Sequence, residues 1–390
     1  MPEIRKIDRN TYLISKQDKM RIEAVLFLSD KLFQEISDDE SMEQLVNAAS
    51  LPGLFKHVVG MPDIHSGFGL PIGGIMASDA CNGVVSAGAV GMDINCGVRL
   101  LMTNIHRKKT DKNILRKLMD HIEKRVPTGI GKSSKYIKKG SIVNEVMHEG
   151  AQSLIRRGLG RPQDRESIEE YGCLQGADLS KVSREALSRS NQLATIGGGN
   201  HFIEIGFVSK IFEEELASFF GLEKDYLTVL IHTGSRGFGH QICTDYTKIM
   251  LKAASKYGIE LPSRGLACAP IDSDEGRDYL SAMACAVNFA FGNRQLITHE
   301  VREAFGEVFK CEPEKLGLEL VYDLAHNIAK FEEHFGRKLL VHRKGATRAL
   351  PPGHESNPAK YLETGHPVLI PGSMGTASYV VVGTAKNNVT

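Results

Sequence analysis

Residues 91–99 read Gly-Met-Asp-Ile-Asn-Cys-Gly-Val-Arg and contain the two features that recur along this chain. The first is glycine, which is frequent from about residue 62 to residue 97 and predicts tight turns whose backbone is open to a ligand. The second is a pair of reactive side chains, because the Asp93 carboxylate and the Cys96 thiol lie three residues apart before an apolar run. The stretch therefore predicts polar, functional side chains at the end of a strand.

Three histidines occupy comparable positions later in the chain. His201 follows Gly-Gly-Gly-Asn, His232 ends an apolar run before Thr-Gly-Ser-Arg-Gly, and His326 comes shortly after Val-Tyr-Asp. Together with Asp93 and Cys96 they form a competent donor set for a divalent transition metal. Thiolate and imidazole suit Zn²⁺, whereas a carboxylate and an open position admit Mn²⁺ or Fe²⁺, and the spacing does not distinguish these ions.

Each of these residue types also has a simpler interpretation. A lone histidine is more often a satisfied core or surface residue than a ligand, and a free cysteine often acts as a small buried hydrophobe. We interpret four histidines in charged helical contexts and six of the cysteines in this way. They are His121, His148, His299, His334, Cys81, Cys173, Cys243, Cys268, Cys285 and Cys311.

The predicted elements favour an α+β fold. Buried strands are predicted at 201–205 and 227–232, and strands mix with helices without a regular β-α-β rhythm. A length of 390 residues fits two or three domains or one large domain. Because the candidate residues span most of the chain, we expect one site in one large domain, residues 1–390.

Helices are predicted where apolar residues recur at helical spacing or where capping residues precede them. Ser37 and Glu40 form a capping box that predicts a helix start. Beyond the helix that starts near Ser37, the predicted helices cover about 110–126, 142–155, 178–194, 240–257 and 275–309, and the glycines at 197–199 follow the third of these.

Two common nucleotide-binding motifs do not occur in the sequence. No GxGxxG lies between a strand and a helix, and there is no GxxxxGKS or GxxxxGKT. This argues against a Rossmann or P-loop protein. Glycine-rich turns nevertheless expose consecutive N–H groups that can hold phosphate oxygens.

The charge is balanced overall but unevenly placed. The chain has 48 Lys and Arg against 47 Asp and Glu. From Arg107 to Lys139, however, twelve basic residues stand against three acidic ones, a net charge of +9. This basic stripe favours a phosphate backbone and predicts salt-dependent binding, although a solvated helix face explains half of it equally well. A second basic segment, 342–348, follows a strand and is interpreted as a phosphate clamp.

The sequence predicts a cytoplasmic protein. The N-terminus has no apolar signal region, and the longest uncharged stretch, residues 364–385, is broken by Pro367 and Pro371. The seven cysteines are scattered and never form a CxxC pair, which is typical of reduced thiols.

Eight short segments, taken together, carry a resemblance to a known family. They are Met-Pro-Asp-Ile-His at 61–65, Pro-Ile-Gly-Gly at 71–74, the stretch 91–99, Gly-Gly-Gly-Asn-His-Phe-Ile-Glu at 197–204, His-Thr-Gly-Ser-Arg-Gly at 232–237, Ala-His-Asn at 325–327, His-Arg-Lys-Gly-Ala-Thr-Arg at 342–348 and Pro-Gly-Ser-Met-Gly at 371–375. In content and order these segments resemble the RtcB family of RNA-splicing ligases, from about residue 20 to the end of the chain. The resemblance implies a single RtcB-like α+β domain with a deep, metal-lined cleft.

The same resemblance implies a metal site for one or two Mn²⁺ ions and a site for guanylate. The implied metal ligands are Asp93, Cys96, His201, His232 and His326, with the Cys96 thiolate placed to bridge two ions. The implied guanylate-binding residues are Asn200, His201, Phe202, Ile203, Glu204, His326, Asn327, Pro371, Gly372, Ser373, Met374 and Ser378. Asp63, Arg236 and Lys344 match further polar positions of the family's active site.

The family's activity is the joining of RNA ends. The resemblance implies that a 2′,3′-cyclic phosphate or 3′-phosphate end is joined to a 5′-hydroxyl end with GTP, in tRNA splicing or RNA repair. A histidine first takes GMP from GTP, the GMP passes to the RNA 3′-phosphate, and the 5′-hydroxyl then displaces it. The implied partners are tRNA halves or broken RNA ends, GTP and an archease-like activator.

One departure from the family pattern concerns that histidine. It lies in a His-Gly-Ala-Gly-Arg motif that these 390 residues do not contain, and the family's C-terminal guanine-contacting lysine is also missing. We therefore expect a C-terminally incomplete ligase that binds metal but is inactive in nucleotidyl transfer. The alternative is a metal-dependent RNA-end-binding protein or cyclic phosphoesterase that does not ligate.

Overall fold

The structure, a computed structural model, describes residues 3–36, 39–138, 141–373 and 375–385. Within these residues, helices combine with multistranded sheets, which confirms the α+β class. The strands are β1 (Ile4–Asp8), β2 (Thr11–Ile14), β3 (Glu23–Phe27), β4 (His57–His65), β5 (Ile72–Asp79), β6 (Val84–Ser86), β7 (Gly97–His106), β8 (Phe202–Phe207), β9 (Tyr226–Thr233), β10 (Cys268–Pro270), β11 (Glu319–Ala325), β12 (Asn327–His334), β13 (Arg337–Lys344), β14 (Val368–Ile370) and β15 (Tyr379–Val381). The helices are α1 (Asp30–Ile36), α2 (Ser41–Ala48), α3 (Ala87–Val90), α4 (Lys112–Arg125), α5 (Ser141–Arg156), α6 (Arg184–Ser188), α7 (Glu214–Phe219), α8 (Arg236–Lys256) and α9 (Asp274–Phe309).

Two sheets form the framework. The larger has seven strands in the order β1-β2-β3-β4-β5-β13-β12, and the smaller has four in the order β11-β7-β9-β8. Neighbouring strands of both sheets run antiparallel except β3 and β4. Antiparallel neighbours need no crossover helix, which is why the β-α-β rhythm is missing from the sequence.

One end of the four-stranded sheet matters for function. Gly97 of β7 pairs with Thr233 of β9 on one side and with Ala325 of β11 on the other. Phe202 of β8 pairs with His232 of β9. Because these strands are antiparallel, the beginnings of β7 and β8 meet the ends of β9 and β11. We call this the ligand end of the sheet.

Helix α9 lies in the main hydrophobic core. It has 36 residues and packs against α4, α5 and α8. Neighbours cover it on several sides, so that Phe289, Leu296 and Phe305 are fully buried. The same core contains Ile231 of the four-stranded sheet and Leu340 of the seven-stranded sheet. One core thus holds both sheets together, as expected for a single-domain fold.

The predicted helices agree with the structure except at 178–194 and at the predicted capping box, because Glu40 is the N-cap residue of α2 and not its third residue. The segments predicted at 240–257 and 275–309 are α8 and α9, but 178–194 holds only α6 between short 3₁₀ turns. The Asp178 side chain accepts from Ser180 N at 2.8 Å, and the Ser183 hydroxyl accepts from Ala186 N at 3.0 Å. These side-chain caps divide the segment into separate turns. The predicted cap Ser37 lies outside the described residues.

The cysteines are all free, as their spacing predicts. Contrary to the prediction, Cys173 and Cys311 are only half-buried, while Cys243, Cys268 and Cys285 are buried as expected; Cys81 is exposed. Its amide donates to the Asp79 side chain at 2.9 Å in a turn after β5, which keeps it at the surface. Among the described helices, none has the length and apolar character needed to span a membrane.

Candidate metal centre

The ligand end of the four-stranded sheet brings the five predicted ligands together. Cys96 directly precedes β7, His201 directly precedes β8, and His326 directly follows β11. His232 is the penultimate residue of β9, and Asp93 lies in the turn before Cys96. The sheet register therefore gathers side chains that lie far apart in the sequence.

The donor atoms form two groups that share one thiol. In the first group, His232 Nε2 lies 3.4 Å from Cys96 Sγ and 3.3 Å from His326 Nε2. In the second, His201 Nε2 lies 3.4 Å from Cys96 Sγ and 2.9 Å from Asp93 Oδ2. Metal bonds of about 2.0–2.3 Å separate two ligands of one ion by about 3–4 Å, so each group fits a cation.

The protonation of the site also suits a cation. Burial lowers the pKa of His232 to about 4, and burial with the neighbouring His232 imidazole holds the pKa of His326 well below its usual range. Both rings are therefore neutral at pH 7 and offer a lone pair. Burial and the nearby Asp93 charge raise the pKa of the Cys96 thiol. A bound cation would oppose that effect and favour the thiolate.

The Asp93 turn is held from two sides. Asp93 Oδ1 accepts from Arg236 N at 3.1 Å and from the Ser235 hydroxyl at 3.2 Å, at the N-terminus of α8. The Asn327 side-chain amide donates to Asp93 O at 3.1 Å, and Asn327 O accepts from Asn95 N at 2.7 Å. Asn327, predicted as a guanylate residue, thus fixes the turn that contains Asp93.

A buried charge cluster beneath the site was not predicted from the sequence. Arg294 of α9 donates through Nη1 to Asn95 O and Thr233 O, each at 2.9 Å, next to Cys96 and His232. Its Nε donates to Asp323 Oδ1 at 2.8 Å. Asp323 Oδ2 accepts from Arg99 Nε at 2.7 Å, and both arginines and the aspartate are fully buried. The cluster ties the ligand end of the sheet to the core helix.

Comparison with known proteins now decides the family. A family profile described as tRNA-splicing ligase RtcB matches residues 44–390. The chain belongs to the RtcB family. It is 47% identical over 389 residues to a tRNA-splicing ligase RtcB of Thermococcus kodakarensis, an alignment that covers 98% of this chain and 80% of that protein.

Two further relatives within the RtcB family extend this likeness. A tRNA-splicing ligase RtcB of Archaeoglobus fulgidus is 49% identical over 372 residues, which cover 94% of this chain and 77% of the relative. An RNA-splicing ligase RtcB of Mycobacterium bovis is 44% identical over 351 residues, which cover 88% of this chain and 80% of the relative. The likeness therefore spans archaeal and bacterial proteins.

The other polar positions that match the RtcB family occupy different settings. Arg236 is buried, and its Nη2 donates to Gly129 O at 3.0 Å and Ile196 O at 3.2 Å. Lys344 is also buried, and Nζ donates to Phe68 O at 2.6 Å, while burial lowers its pKa to about 8. Asp63 lies exposed on β4. Of these three, Arg236 bonds directly, through its backbone N, to a predicted ligand.

The predicted guanylate residues fall into three segments of the chain, at 200–204, 326–327 and 371–378. Asn200 is exposed beside the ligands, Glu204 is exposed on β8, and the Phe202 ring lies edge-on to the His232 ring, with centroids 5.5 Å apart. Phe202 packs on the same hydrophobic cluster as Leu369 and Val380, which flank the turn 371–378. The turn connects β14 to β15. Its residue Met374 is outside the described residues.

That turn is closed by side-chain hydrogen bonds. Gly372 N donates to the Ser378 hydroxyl at 3.0 Å, and Ser373 N donates to the Thr376 hydroxyl at 2.8 Å. Pro371 lies directly before the first of these hydrogen-bonded residues. In the segment 200–204, Ile203 of β8 packs against the main core. Ile203 accordingly positions β8, and Ser373 and Ser378 shape the turn.

The basic segment 342–348 is not a free phosphate clamp. Arg343 Nη2 donates to Glu332 Oε2 at 2.9 Å, and Arg348 Nη2 lies 3.4 Å from Glu169 Oε1. Both arginines and their carboxylate partners lie almost entirely inside the protein. The interpretation as a clamp is therefore wrong, because the arginines neutralise buried carboxylates instead of facing solvent.

Gly234 offers a direct test of the metal-binding turn. A Cβ at Gly234 would lie 2.5 Å from Asp93 Oδ2, so Gly234→Ala must displace that carboxylate. We expect Mn²⁺ affinity, measured by isothermal titration calorimetry, to fall roughly 10–100-fold. Gly198→Ala is the control, since a Cβ there meets no atom within 4 Å. Equal affinities for the two folded variants would show that Asp93 does not bind the ion.

Proposed function

We propose that this protein is an RNA ligase that joins a 2′,3′-cyclic phosphate or 3′-phosphate end to a 5′-hydroxyl end, in tRNA splicing or RNA repair, with GTP and Mn²⁺. The observation that carries the proposal is the pair of donor groups sharing Cys96 at the ligand end of the sheet. Membership of a family whose relatives are named tRNA-splicing ligases supports RNA as the substrate.

Two cations would be held by the two donor groups. Cys96, His232 and His326 would hold one ion, and Asp93, Cys96 and His201 the other. Divalent ions bound there supply charge neutralisation for a transferring phosphoryl group and keep its attack in line. The donor set also accommodates Zn²⁺, and the choice of Mn²⁺ rests on the family resemblance.

The guanine nucleotide would bind next to the metals. The exposed Glu204 carboxylate is a suitable acceptor for the N–H groups of guanine, and the turn 371–378 would supply further polar groups. The glycines at 198 and 199 are exposed, and their backbone is open to a phosphate. The proposed guanylate residues remain Asn200–Glu204, His326, Asn327, Pro371–Met374 and Ser378.

The covalent step needs a residue that these 390 residues do not contain. In the proposed reaction, a histidine nitrogen attacks the α-phosphorus of GTP and pyrophosphate leaves. The RNA 3′-phosphate then takes the GMP, and the 5′-hydroxyl displaces GMP to form the phosphodiester. We propose that the 390-residue chain alone does not become guanylylated, because it lacks the His-Gly-Ala-Gly-Arg motif.

Ligation of defined RNA fragments tests the proposal. The protein expressed from its gene to the stop codon is mixed with a 3′-phosphate RNA, a 5′-hydroxyl RNA, GTP and MnCl₂. We expect a joined product that requires both GTP and Mn²⁺, and a covalent label from α-³²P GTP. The absence of a joined product, with the metals bound, would exclude a ligase. We also propose that an archease-like activator is a partner of this protein and that the protein is located in the cytoplasm.

The two donor groups also fit a second candidate, a metal-dependent cyclic phosphoesterase or RNA-end-binding protein. The two donor groups would hold the cations for that activity, and a bound cation would supply an activated water for opening a cyclic phosphate. Hydrolysis of a 2′,3′-cyclic phosphate RNA by the 390-residue chain without GTP would support the esterase. If the chain neither hydrolyses nor binds such an RNA, this candidate is excluded.

A further inference from the structure

A small polar cavity lies on the basic stripe, away from the metal ligands. Its volume is about 250 Å³, and it opens between helix α4, the loop after it and the last part of α9. The lining residues are His121, Lys124, Arg125, Pro127, Lys135 and Glu307. Four of these six side chains are basic, and none is Phe, Tyr, Trp or a branched aliphatic side chain.

Carboxylates fix some of the cations but leave an excess of positive charge. Arg125 Nη1 lies 2.9 Å and Lys135 Nζ 2.8 Å from the buried Glu300 carboxylate. His121 Nδ1 lies 2.8 Å from Glu307 Oε2, and hydrogen bonds from Arg125 and His121 lower the pKa of Glu307 to about 2. Lys124 has no ion pair with any described carboxylate.

Lys124 continues a row of basic side chains along α4. Lys117, His121 and Lys124 are spaced at i, i+4 and i+7, so they lie on one side of the helix, about 10 Å from first to last. Lys117 and Lys124 are exposed, and Lys117 also lacks an ion pair among the described residues. We call these three residues the α4 row.

The cavity connects to the metal centre through backbone contacts. Pro127, in the cavity wall, accepts at its O from Ile196 N at 3.1 Å, and Gly129 N donates to Ile196 O at 3.0 Å. Gly129 O in turn accepts from Arg236 Nη2 at 3.0 Å, and Arg236 N donates to Asp93 Oδ1 at 3.1 Å. The α4 row therefore leads toward the side of the site where Gly197 and His201 lie.

We propose that the α4 row and the cavity beside it bind the phosphate backbone of the RNA next to the end that reacts. The inference rests on the proposed function. It names the residues within the basic stripe that the RNA backbone would contact, which the charge of the stripe alone does not identify. Backbone phosphates require cations and N–H donors, which this surface offers. A protein partner would require an apolar, aromatic interface core, which the cavity lacks.

Removal of two charges from the row tests the proposal. Fluorescence anisotropy measures binding of a labelled single-stranded RNA with a 3′-phosphate, from about 50 to about 200 mM salt. In Lys117→Gln/Lys124→Gln we expect roughly tenfold weaker binding at low salt. The slope of log affinity against log salt falls by about 1.4, since each single-strand phosphate contact contributes about 0.7.

A matched control and a charge-preserving variant define the outcomes. Lys248→Gln/Lys252→Gln removes two exposed charges from α8, neither in an ion pair with a described carboxylate, and is expected to bind as the wild type does. Lys117→Arg/Lys124→Arg keeps the charges and is expected to keep the salt slope. If Lys117→Gln/Lys124→Gln keeps the wild-type RNA affinity and salt slope, the proposal is overturned. This holds even if the variant no longer binds an acidic protein, because such a loss would assign the α4 row to a protein partner and not to RNA. Failure of the wild type to join RNA ends would instead overturn the ligase proposal.

Discussion

Replacing Asp323 with asparagine is expected to lower the melting temperature by roughly 4 °C. The substitution removes the only negative charge that Arg99 and Arg294 share in the described structure, and both arginines are fully buried. Loss of one partner from a buried ion pair costs about 3–5 kcal/mol, because the remaining charge stays away from water. With an unfolding entropy of about 2.1 cal/mol/K per residue, a loss of about 3 kcal/mol lowers the melting temperature of a 390-residue chain by roughly 4 °C.

The effect on stability should be specific to this buried cluster. Differential scanning fluorimetry of Asp323→Asn is compared with Glu260→Gln, which removes an exposed ion pair with Lys19. The control is expected to melt as the wild type does, since exposed pairs contribute little. A melting temperature that is the same in both variants would show that the Arg99–Asp323–Arg294 cluster does not stabilise the fold.

Replacing Cys96 with alanine is expected to abolish binding at both metal positions. Its Sγ is the one atom that belongs to both donor groups, so its loss leaves two histidines on one side and Asp93 with one histidine on the other. Removal of a residue that only orients a ligand weakens metal binding 10–100-fold, and loss of a shared ligand should exceed about 100-fold. Metal content after dialysis is measured by inductively coupled plasma mass spectrometry.

Cys243→Ala is the matched control for Cys96. Cys243 is also buried, and its thiol donates to Ala87 O at 3.5 Å, away from both donor groups. We expect this variant to keep the wild-type metal content, while a small packing cost lowers its stability. Equal metal content in the two variants would refute the assignment of Cys96 as a ligand.

The sequence predicts the donor set well because local signals mark its members. Cys96, His201 and His232 each lie within two residues of a glycine and at the end of a strand, although β8 beside His201 is not buried as predicted. Antiparallel pairing brings such strand ends together. The apolar length of α9 is also a local property. Both the donor positions and the length of α9 depend on residues that are close together in the sequence, so the sequence pattern predicts them.

The charge cluster and the segment 342–348 depend instead on partners far away in the sequence. Arg99 meets Asp323 across 224 positions, and Arg348 meets Glu169 from another part of the chain. A basic residue gives no local sign of whether its partner is solvent, phosphate or a buried carboxylate. Arg294 lies among apolar residues of α9, which is a local sign that its side chain is buried. A buried charge without a partner is too costly, so the position also predicts a carboxylate partner.

The strand order of the four-stranded sheet also has a consequence for biosynthesis. The first of its strands in the chain, β7, pairs with β11, the last of them, so the sheet closes only after the region between them has been made. Such long-range pairing forms late during folding, because the intervening chain must first be ordered. A nascent chain that ends before residue 326 has Cys96 without its third partner. Metal uptake at the proposed Cys96–His232–His326 site would thus require a polypeptide that has been translated through His326 and has folded.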